Sequence, residues 1–285
     1  MALQVPLHSG SELKFRQAMW GPIYEAVLTL LGSTGSILPI GDPLHGKPNA
    51  TTFTTVGEVQ LPFTWSKAWA TFDAHANVGH LWQGIIPVID FDGVDEEADA
   101  ADNDYWSAGA DGTAPNEPTI SIGAWIKLDA DASVEVIMAR NDVTTGDTKR
   151  EWELNLRNGT QPQFTIVDDS AGAGVARYDA THLATEVWKF VVGTYSGNAA
   201  NSGVSVYVDG VAVDDTNNGF GSYTAMENKG GVTTLGHKIS ADGVAQQFLS
   251  GKIAGGPMGP FFTQVELSAD AVLRLYEIGR RALAL

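Results

Sequence analysis

The amino-acid sequence predicts an all-β protein built as an antiparallel β-sandwich, and three observations support this fold class. Apolar and polar residues alternate with a period of two over residues 120–128 and again over 204–208, as in strands that bury one face. Asp209-Gly210 directly follows the second run, and both central residues of a type I′ hairpin turn need positive φ. Short runs of this kind recur between turn residues after residue 86, which indicates a sandwich or a barrel.

The N-terminal segment, residues 1–85, is predicted to form a partly helical arm. Ser11 can cap a first helix, Gly21-Pro22 interrupts it, and Gly32 is suited to end a second one. Residues 51–61 are rich in β-prone residues. These elements are too few to close a core of their own. We therefore expect the arm to pack on its own β-domain, on a neighbouring copy of the chain or on another protein.

The β-domain is predicted to span residues 86–285. Its strand 151–157 alternates so that Trp152 and Leu154 face the core, while Glu151 and Glu153 share a solvated outer face. The period then changes near the C-terminus, where Ser268 caps a helix over residues 268–282. The other strands are predicted at 134–138, 164–166, 188–194, 211–213, 232–235 and 248–253.

Charge and composition exclude several classes of partner. The chain of 285 residues has a formal net charge of −17, which repels the phosphate backbone of nucleic acids. It has no cysteine, so neither a disulfide nor a thiol nucleophile is expected. We expect no signal peptide and no membrane span, because the N-terminus lacks a basic region followed by an apolar one. The near-neutral, tryptophan-rich arm beside an acidic β-domain suggests two parts with different roles.

Several sequence blocks resemble those of laminin-G-like domains, which are concanavalin A-like jelly rolls. The opening Asp90-Phe91-Asp92-Gly93, the strand Thr119-Ile120-Ser121-Ile122-Gly123-Ala124-Trp125-Ile126 and the run from Trp188 to Gly210 carry most of the similarity. The closing block from Leu267 to Tyr276 resembles the family's final helix. The resemblance covers roughly residues 86–285 and implies a jelly-roll β-sandwich. Pro257 and Pro260 depart from the pattern, because proline cannot donate to a strand ladder.

The resemblance implies a calcium site at one rim of the sandwich. A hard cation prefers carboxylate and carbonyl oxygens, and an acidic run begins at Asp90. The alternative is a solvated acidic loop that keeps the protein soluble. The candidate calcium ligands are Asp92, Asp95, Asp102 and Asp104.

Aromatic residues supply two further sets of candidates. Some lie in predicted loops and are candidates for stacking on a glycan: Tyr105, Trp106 and Tyr223. Others, in the arm, are candidates for anchoring a partner protein, where aromatic residues are enriched: Phe15, Trp20, Ile23, Trp65, Trp69 and Trp82. The alternative for this second set is an intramolecular core.

The sequence carries no pattern typical of catalysis. Glucanases of the resembled fold need a Glu-x-Asp-x-x-Glu strand, and none occurs here. Together with the lack of cysteine and of a signal peptide, and with the aromatic arm, this leads us to expect a non-enzymatic virion protein made in a host cytoplasm. It would be a capsid decoration or cement protein, a head fibre or a tail-associated subunit. Its expected partners are other virion proteins, copies of itself and a carbohydrate. The two alternatives are a bacterial carbohydrate-binding lectin module and a divergent glycoside hydrolase.

Overall fold

The structure is a computed structural model. It describes residues 10–42, 51–66, 81–114, 117–129, 134–144, 147–239 and 243–285, with side chains in the first helix from residue 18 onward. Within these residues the protein is a sandwich of two antiparallel sheets with one helix near each end of the chain. No helix of the described part is long and apolar enough to cross a bilayer.

Ten strands form the first sheet, sheet I, over the described residues. They are β1 (Ser36–Ile37), β3 (Val56–Gly57), β5 (Leu81–Gln83), β6 (Ile86–Asp92), β8 (Ile120–Leu128), β13 (Trp188–Tyr195), β14 (Val204–Val208), β15 (Val211–Ala212), β20 (Ser250–Ala254) and β21 (Phe261–Thr263). The main path across the sheet is β15-β14-β13-β8-β20-β6-β5, in which β8 and β13 pair over eight residues each.

Eleven strands form the second sheet, sheet II, over the same residues. They are β2 (Thr52–Thr54), β4 (Pro62–Trp65), β7 (Ala98–Ala100), β9 (Glu135–Asp142), β10 (Lys149–Arg157), β11 (Gln161–Asp168), β12 (Ala173–Tyr178), β16 (Thr216–Asn217), β17 (Thr233–Leu235), β18 (Lys238–Ile239) and β19 (Ala245–Gln246). The path across this sheet is β16-β12-β11-β10-β9-β17-β7-β4-β2.

Aromatic side chains fill the core between the two sheets. The Trp106 ring meets Phe262 edge-on at 5.2 Å, and Phe262 lies 5.5 Å from Trp152. The Trp152 indole Nε1 donates a 2.8 Å hydrogen bond to the Trp106 carbonyl oxygen, which satisfies a polar group that water cannot reach. The predicted inward orientation of Trp152 and Leu154 is confirmed, since both belong to this core.

Two helices cover the outer face of sheet I and create a second core. These are α1 (Gly10–Leu31) and α2 (Ala269–Ala282). Trp20 and Val27 on α1 and Leu275 on α2 pack with Trp125 and Phe190, which face outward from the sheet. Sheet I is therefore buried on both faces, one by sheet II and the other by the helices.

Several predicted elements are confirmed. Asp209 and Gly210 have φ of 52° and 82°, as the predicted hairpin turn requires. Ser268 caps α2 by accepting a hydrogen bond from the Ala271 amide. The region of Pro257 departs from strand structure, as expected, because Gly256–Met258 is a short 3₁₀ helix between β20 and β21.

The predicted interruption of the first helix at Gly21-Pro22 is wrong. The helix α1 is continuous from Gly10 to Leu31, with Pro22 inside it. Proline removes one backbone hydrogen bond, but the apolar stripe formed by Trp20, Val27 and Leu31 is held against sheet I on both sides of that position. Packing of this stripe compensates for the lost bond.

The described part of residues 1–85 is built into the sandwich. Strands β1 and β3 extend sheet I, while β2 and β4 pair with each other and join sheet II at β7. Trp20 lies in the core under the helices, and Trp65 packs between the sheets against Phe91. Trp20 and Trp65 therefore belong to an intramolecular core, which was the alternative to anchoring a partner.

The close approach of α2 to sheet I predicts a strong effect of one methyl group. A Cβ at Gly279 would lie 2.1 Å from the Trp125 Nε1, and Trp125 is buried. Gly279→Ala should therefore destabilise the protein by about 1–3 kcal/mol, the usual cost of overpacking a core. A Cβ at Gly21, in α1, would meet no atom within 4 Å outside its chain neighbours, so Gly21→Ala is the control for overpacking. Its gain in helix propensity is opposed by the restriction that Pro22 places on the preceding residue, so its effect should stay within about 1 kcal/mol. Urea unfolding measures both, and a Gly279→Ala effect no larger than that of Gly21→Ala would contradict this packing.

The position of Trp20 predicts that the first helix contributes to global stability. Trp20→Ala should lower the free energy of unfolding by about 3–5 kcal/mol, because a buried large side chain is removed. Leu273→Ala on the exposed side of α2 is the control and should change it by less than about 0.5 kcal/mol. A Trp20→Ala variant whose unfolding midpoint equals that of the unmodified chain would show that α1 does not share the core.

Candidate functional site

The candidate site is the outer face of sheet II, which faces away from the core between the sheets. Paired residues of neighbouring strands point to the same face. The register brings one residue from each of seven adjacent strands into a single row. In order across the sheet, the row is Ala176, Thr165, Glu153, Ala139, Thr234, Asp99 and Thr64. Hydroxyl and carboxylate side chains predominate in this row. Its members from Ala176 to Thr234 are buried, with exposures of 0–8%, while Asp99 and Thr64 at its end are more exposed.

Glu153 is the centre of a compact amide and carboxylate cluster on this face. Its two carboxylate oxygens each accept a 2.5 Å hydrogen bond, one from the Asn141 Nδ2 and the other from the Asn155 Nδ2. The Lys238 ammonium group lies 3.7 Å from the Glu153 Oε2. All three members of the cluster, Asn141, Glu153 and Asn155, are between 5% and 7% exposed. The carboxylate fixes the orientation of both amides, because only their NH₂ groups can face it.

The same orientation leaves two hydrogen-bond acceptors unused. The Oδ1 atoms of Asn141 and Asn155 are buried and have no hydrogen-bond partner within the described protein. A buried polar atom without a partner costs about 1–3 kcal/mol, so such atoms mark places where a ligand or water supplies the missing bond. Here the missing group is a hydrogen-bond donor.

A second row on the same face lies beside the cluster. Asn155 pairs with Gln163, and Gln163 pairs with Tyr178. The Gln163 amide is fully engaged, donating to the Thr165 hydroxyl at 3.0 Å and accepting from the Asn218 Nδ2 at 2.8 Å. At the border of the face, the Arg157 guanidinium lies 4.5 Å from the centre of the half-buried Tyr178 ring. Tyr178 is therefore an aromatic side chain at the border of this polar face.

Glu151 does not share the outer face with Glu153, and that prediction is wrong. The register between β9 and β10 shifts between Arg150 and Trp152, so Glu151 is the extra residue of a β-bulge. Its carboxylate is fully buried and lies 2.8 Å from the Arg140 Nε. Burial raises the pKa of Glu151, and the neighbouring Arg140 opposes that effect. The chemistry of Glu151 is therefore that of an internal ion pair.

The structure does not assemble the four predicted calcium ligands. Asp92 and Asp95 lie in one cluster, joined by Glu96, which the sequence did not single out. The Asp92 Oδ1 already accepts from the Val94 backbone amide at 2.8 Å, as in an ordinary acidic turn. The two remaining candidates are used elsewhere: Asp102 binds the Arg140 guanidinium at 2.6 Å, and Asp104 accepts from Asn228 at 2.7 Å. The four residues therefore do not form one site, and calcium binding stays a prediction.

The three predicted glycan-stacking residues lie away from the polar face. Tyr105 and Trp106 are buried in the core between the sheets, so neither ring has a free face for a sugar. The short 3₁₀ helix Asp104–Ser107 places them there, and the Tyr105 hydroxyl donates to the Thr34 carbonyl at 2.7 Å. Tyr223 is half-buried, and its hydroxyl donates to the Glu117 carboxylate at 2.8 Å. We therefore do not include these residues in the binding surface.

The candidate partner anchors separate into two groups. Trp20 and Trp65 are buried in this chain, and Ile23 packs half-buried against the helix-covered core. The apolar side chains of these three residues pack against other residues of the same chain. The other three anchors lie outside the described side chains or residues: Phe15 on α1, Trp82 on β5, and Trp69.

Sequence reasoning missed the Glu153 cluster on sheet II. One signal was available, because Glu153 and Asn155 alternate with the core-facing Trp152 and Leu154. The contribution of Asn141 was not visible, because it depends on the pairing of β9 with β10. Tyr178 was missed for the same reason, since its place on the face follows from its pairing with Gln163.

Comparisons with known proteins agree with the observed architecture. A family model described as the concanavalin A-like lectin/glucanases superfamily matches residues 100–255. A comparison with curated proteins finds no match.

Three solved structures with a similar fold illustrate the range of these proteins. A Trypanosoma rangeli sialidase in complex with 2,3-difluorosialic acid is 11% identical with a TM-score of 0.55, over 96% of this chain and 40% of that one. The botulinum neurotoxin serotype C1 binding domain is 10% identical with a TM-score of 0.52, over 87% and 52%. The binding domain of botulinum neurotoxin DC in complex with SialylT is 11% identical with a TM-score of 0.51, over 85% and 50%.

The chain spans about half the length of these structures or less, and at such identities the similarity concerns the fold alone. The family match is a separate finding, since it covers more than half of the chain and includes strands of both sheets. This chain belongs to the concanavalin A-like lectin/glucanase superfamily.

Proposed function

We propose that this protein is a glycan-binding module that binds a neutral oligosaccharide on the outer face of sheet II. The observation that carries the proposal is the pair of unused acceptors, the Oδ1 atoms of Asn141 and Asn155, on either side of Glu153. Sugar hydroxyl groups are hydrogen-bond donors and acceptors at short spacing. Two hydroxyls of one sugar can donate to the two amide oxygens.

The rigidity of the cluster favours binding. Both amides are held by the same carboxylate, and the cluster is recessed, with exposures of 5–7%. A ligand therefore loses little entropy in ordering these side chains, and preorganised polar groups give orientation and specificity. The half-buried Tyr178, held under Arg157, adds an apolar surface at the border of the face.

Charge favours a neutral glycan over an acidic one. The net charge of −17 produces a field that repels anions over the whole surface. Glu153 at the centre of the face adds a local negative charge, which Lys238 at 3.7 Å balances in part. Hydroxyl groups carry no such penalty.

The arrangement of the carboxylates favours binding of a glycan over its hydrolysis. Glycoside hydrolysis requires two carboxyl groups about 5–10 Å apart on either side of the scissile bond. Glu153 is locked by two amides, and its neighbour in sequence, Glu151, is buried against Arg140. A divergent glycoside hydrolase remains the alternative, and cleavage of a bound oligosaccharide would establish it.

The virion role stays a prediction from the sequence. It rests on the cysteine-free acidic chain and on the N-terminal segment, of which the described part packs within the sandwich. Removal of residues 1–85 would delete strands of both sheets, so truncation cannot separate anchoring from folding. The test is quantitative mass spectrometry of purified particles, in which a stoichiometric amount of the intact chain supports the role and its absence opposes it.

Substitution of the two asparagines tests the glycan proposal. A glycan array identifies the ligand, and calorimetry then measures its affinity for Asn141→Ala and Asn155→Ala. Each should weaken binding by about two- to tenfold, because a neutral hydrogen bond contributes about 0.5–1.5 kcal/mol. Asn228→Ala is the matched control, since Asn228 is exposed and bonds only Asp104 among the described residues. Unchanged affinity in both cluster variants, each folded by circular dichroism, would place the site elsewhere, and an array with no ligand would oppose the function itself.

A further inference from the structure

A second cluster on the outer face of sheet II has the composition of a metal site. Glu97 immediately precedes β7, Asp99 lies on β7, and His237 follows β17, which pairs with β7. The His237 Nε2 is 3.3 Å from the Asp99 Oδ1 and 3.5 Å from the Glu97 Oε2. All three atoms lie within 4.8 Å of one another. The sequence did not indicate that these three residues meet, because Asp99 and His237 are far apart along the chain.

The three donor atoms have no adequate partner within the described protein. The imidazole is 1% exposed, and the Glu97 Oε2 and the Asp99 Oδ1 are buried without a hydrogen bond. Within the described residues, neither carboxylate pairs with a lysine or an arginine. A proton on the His237 Nε2 would satisfy one of the two oxygens at most. The other oxygen would stay without a hydrogen bond, although solvent reaches part of both side chains, which are 19% exposed for Glu97 and 40% for Asp99.

The surroundings of His237 prepare its Nε2 to act as a ligand. The Nδ1 faces the Leu235 carbonyl oxygen at 3.5 Å, a second contact that metal-binding histidines commonly have. The Phe248 ring stacks on the imidazole at 6.0 Å and restricts its rotation. The Thr234 hydroxyl donates to the His237 carbonyl at 2.6 Å, which fixes the backbone of the turn. In the tautomer that carries its proton on the Nδ1, the lone pair of the Nε2 is directed at the two carboxylates.

The observed spacing matches a small cation. Zinc binds imidazole nitrogen and carboxylate oxygen at about 2.0–2.2 Å, so a tetrahedral site separates its ligands by about 3.3–3.6 Å. The two measured separations, 3.3 and 3.5 Å, lie in this range. Calcium prefers six to eight oxygen ligands at longer distances and takes imidazole poorly.

We propose that Glu97, Asp99 and His237 form a site for a divalent transition-metal ion, with zinc as its natural probe. The ion would join the segment before β7 to the turn after β17, and three protein ligands would leave one coordination position open to water or ligand. The proposal does not rest on glycan binding, because the two sites share no residue.

Titration of the full-length chain with zinc tests the proposal. Tag-free protein is stripped with EDTA, dialysed and titrated by calorimetry at pH 7.5. We expect one zinc ion per chain and a higher melting temperature with zinc, since binding to the folded state alone stabilises it. Calcium and magnesium at the same concentration should have much smaller effects. Cobalt(II) provides a second readout, as visible d–d absorption from a nitrogen and oxygen site.

Variants locate the ion. His237→Asn, Glu97→Gln and Asp99→Asn should each weaken zinc binding at least about tenfold and reduce the cobalt absorption. His182→Asn controls for the loss of an exposed histidine, and Asp95→Asn tests the neighbouring cluster of Asp92, Asp95 and Glu96. Circular dichroism in EDTA verifies that each variant is folded.

Two outcomes would overturn the proposal. The first is the absence of zinc binding by the unmodified chain up to millimolar concentration. The second is zinc binding that persists unchanged in His237→Asn or that is lost in Asp95→Asn alone, since either result places the ion elsewhere. Because none of these measurements uses a glycan, their failure is distinct from failure of the proposed function.

Discussion

The burial of sheet I on both faces is the constraint on which the rest of the structure depends. Trp125 and Phe190 point outward from this sheet, and they need the cover of α1 and α2. The other face of the same sheet packs on sheet II. The helices cover the apolar part of the outer face of sheet I, while Lys127, Lys189 and Lys252 on the same sheet stay partly exposed and pair with carboxylates. The amide and carboxylate cluster of the sandwich lies on the outer face of sheet II.

This constraint also explains why the N-terminal and C-terminal segments are inseparable from the sandwich. The helix α1 comes from the beginning of the chain and α2 from its end, and both lie on the same face of sheet I. Four short strands before residue 66 extend the sheets. A protein organised in this way folds as one unit, although its sequence suggests a near-neutral arm beside an acidic domain.

Local sequence patterns predicted the parts of the fold that depend on local physics. The alternation of β8, the turn at Asp209-Gly210 and the Ser268 cap each follow from a few consecutive residues. The β-bulge at Glu151 and the core position of Trp20 depend on partners far away in sequence, so no local period reveals them. The same limit applies to both candidate sites. Asn141 meets Glu153, and Asp99 meets His237, only because of strand register and topology.

The row of seven paired residues on sheet II also defines a length scale. Neighbouring strands are about 4.8 Å apart, so the row from Ala176 to Thr64 measures about 29 Å perpendicular to the strands. Along it, the Glu153 cluster and the Asp99 position are three strand spacings apart, about 14 Å. A polymer lying across the strands would meet chemically different steps at fixed intervals. If such a polymer binds there, recognition would depend on the number of repeating units in the ligand as well as on their identity.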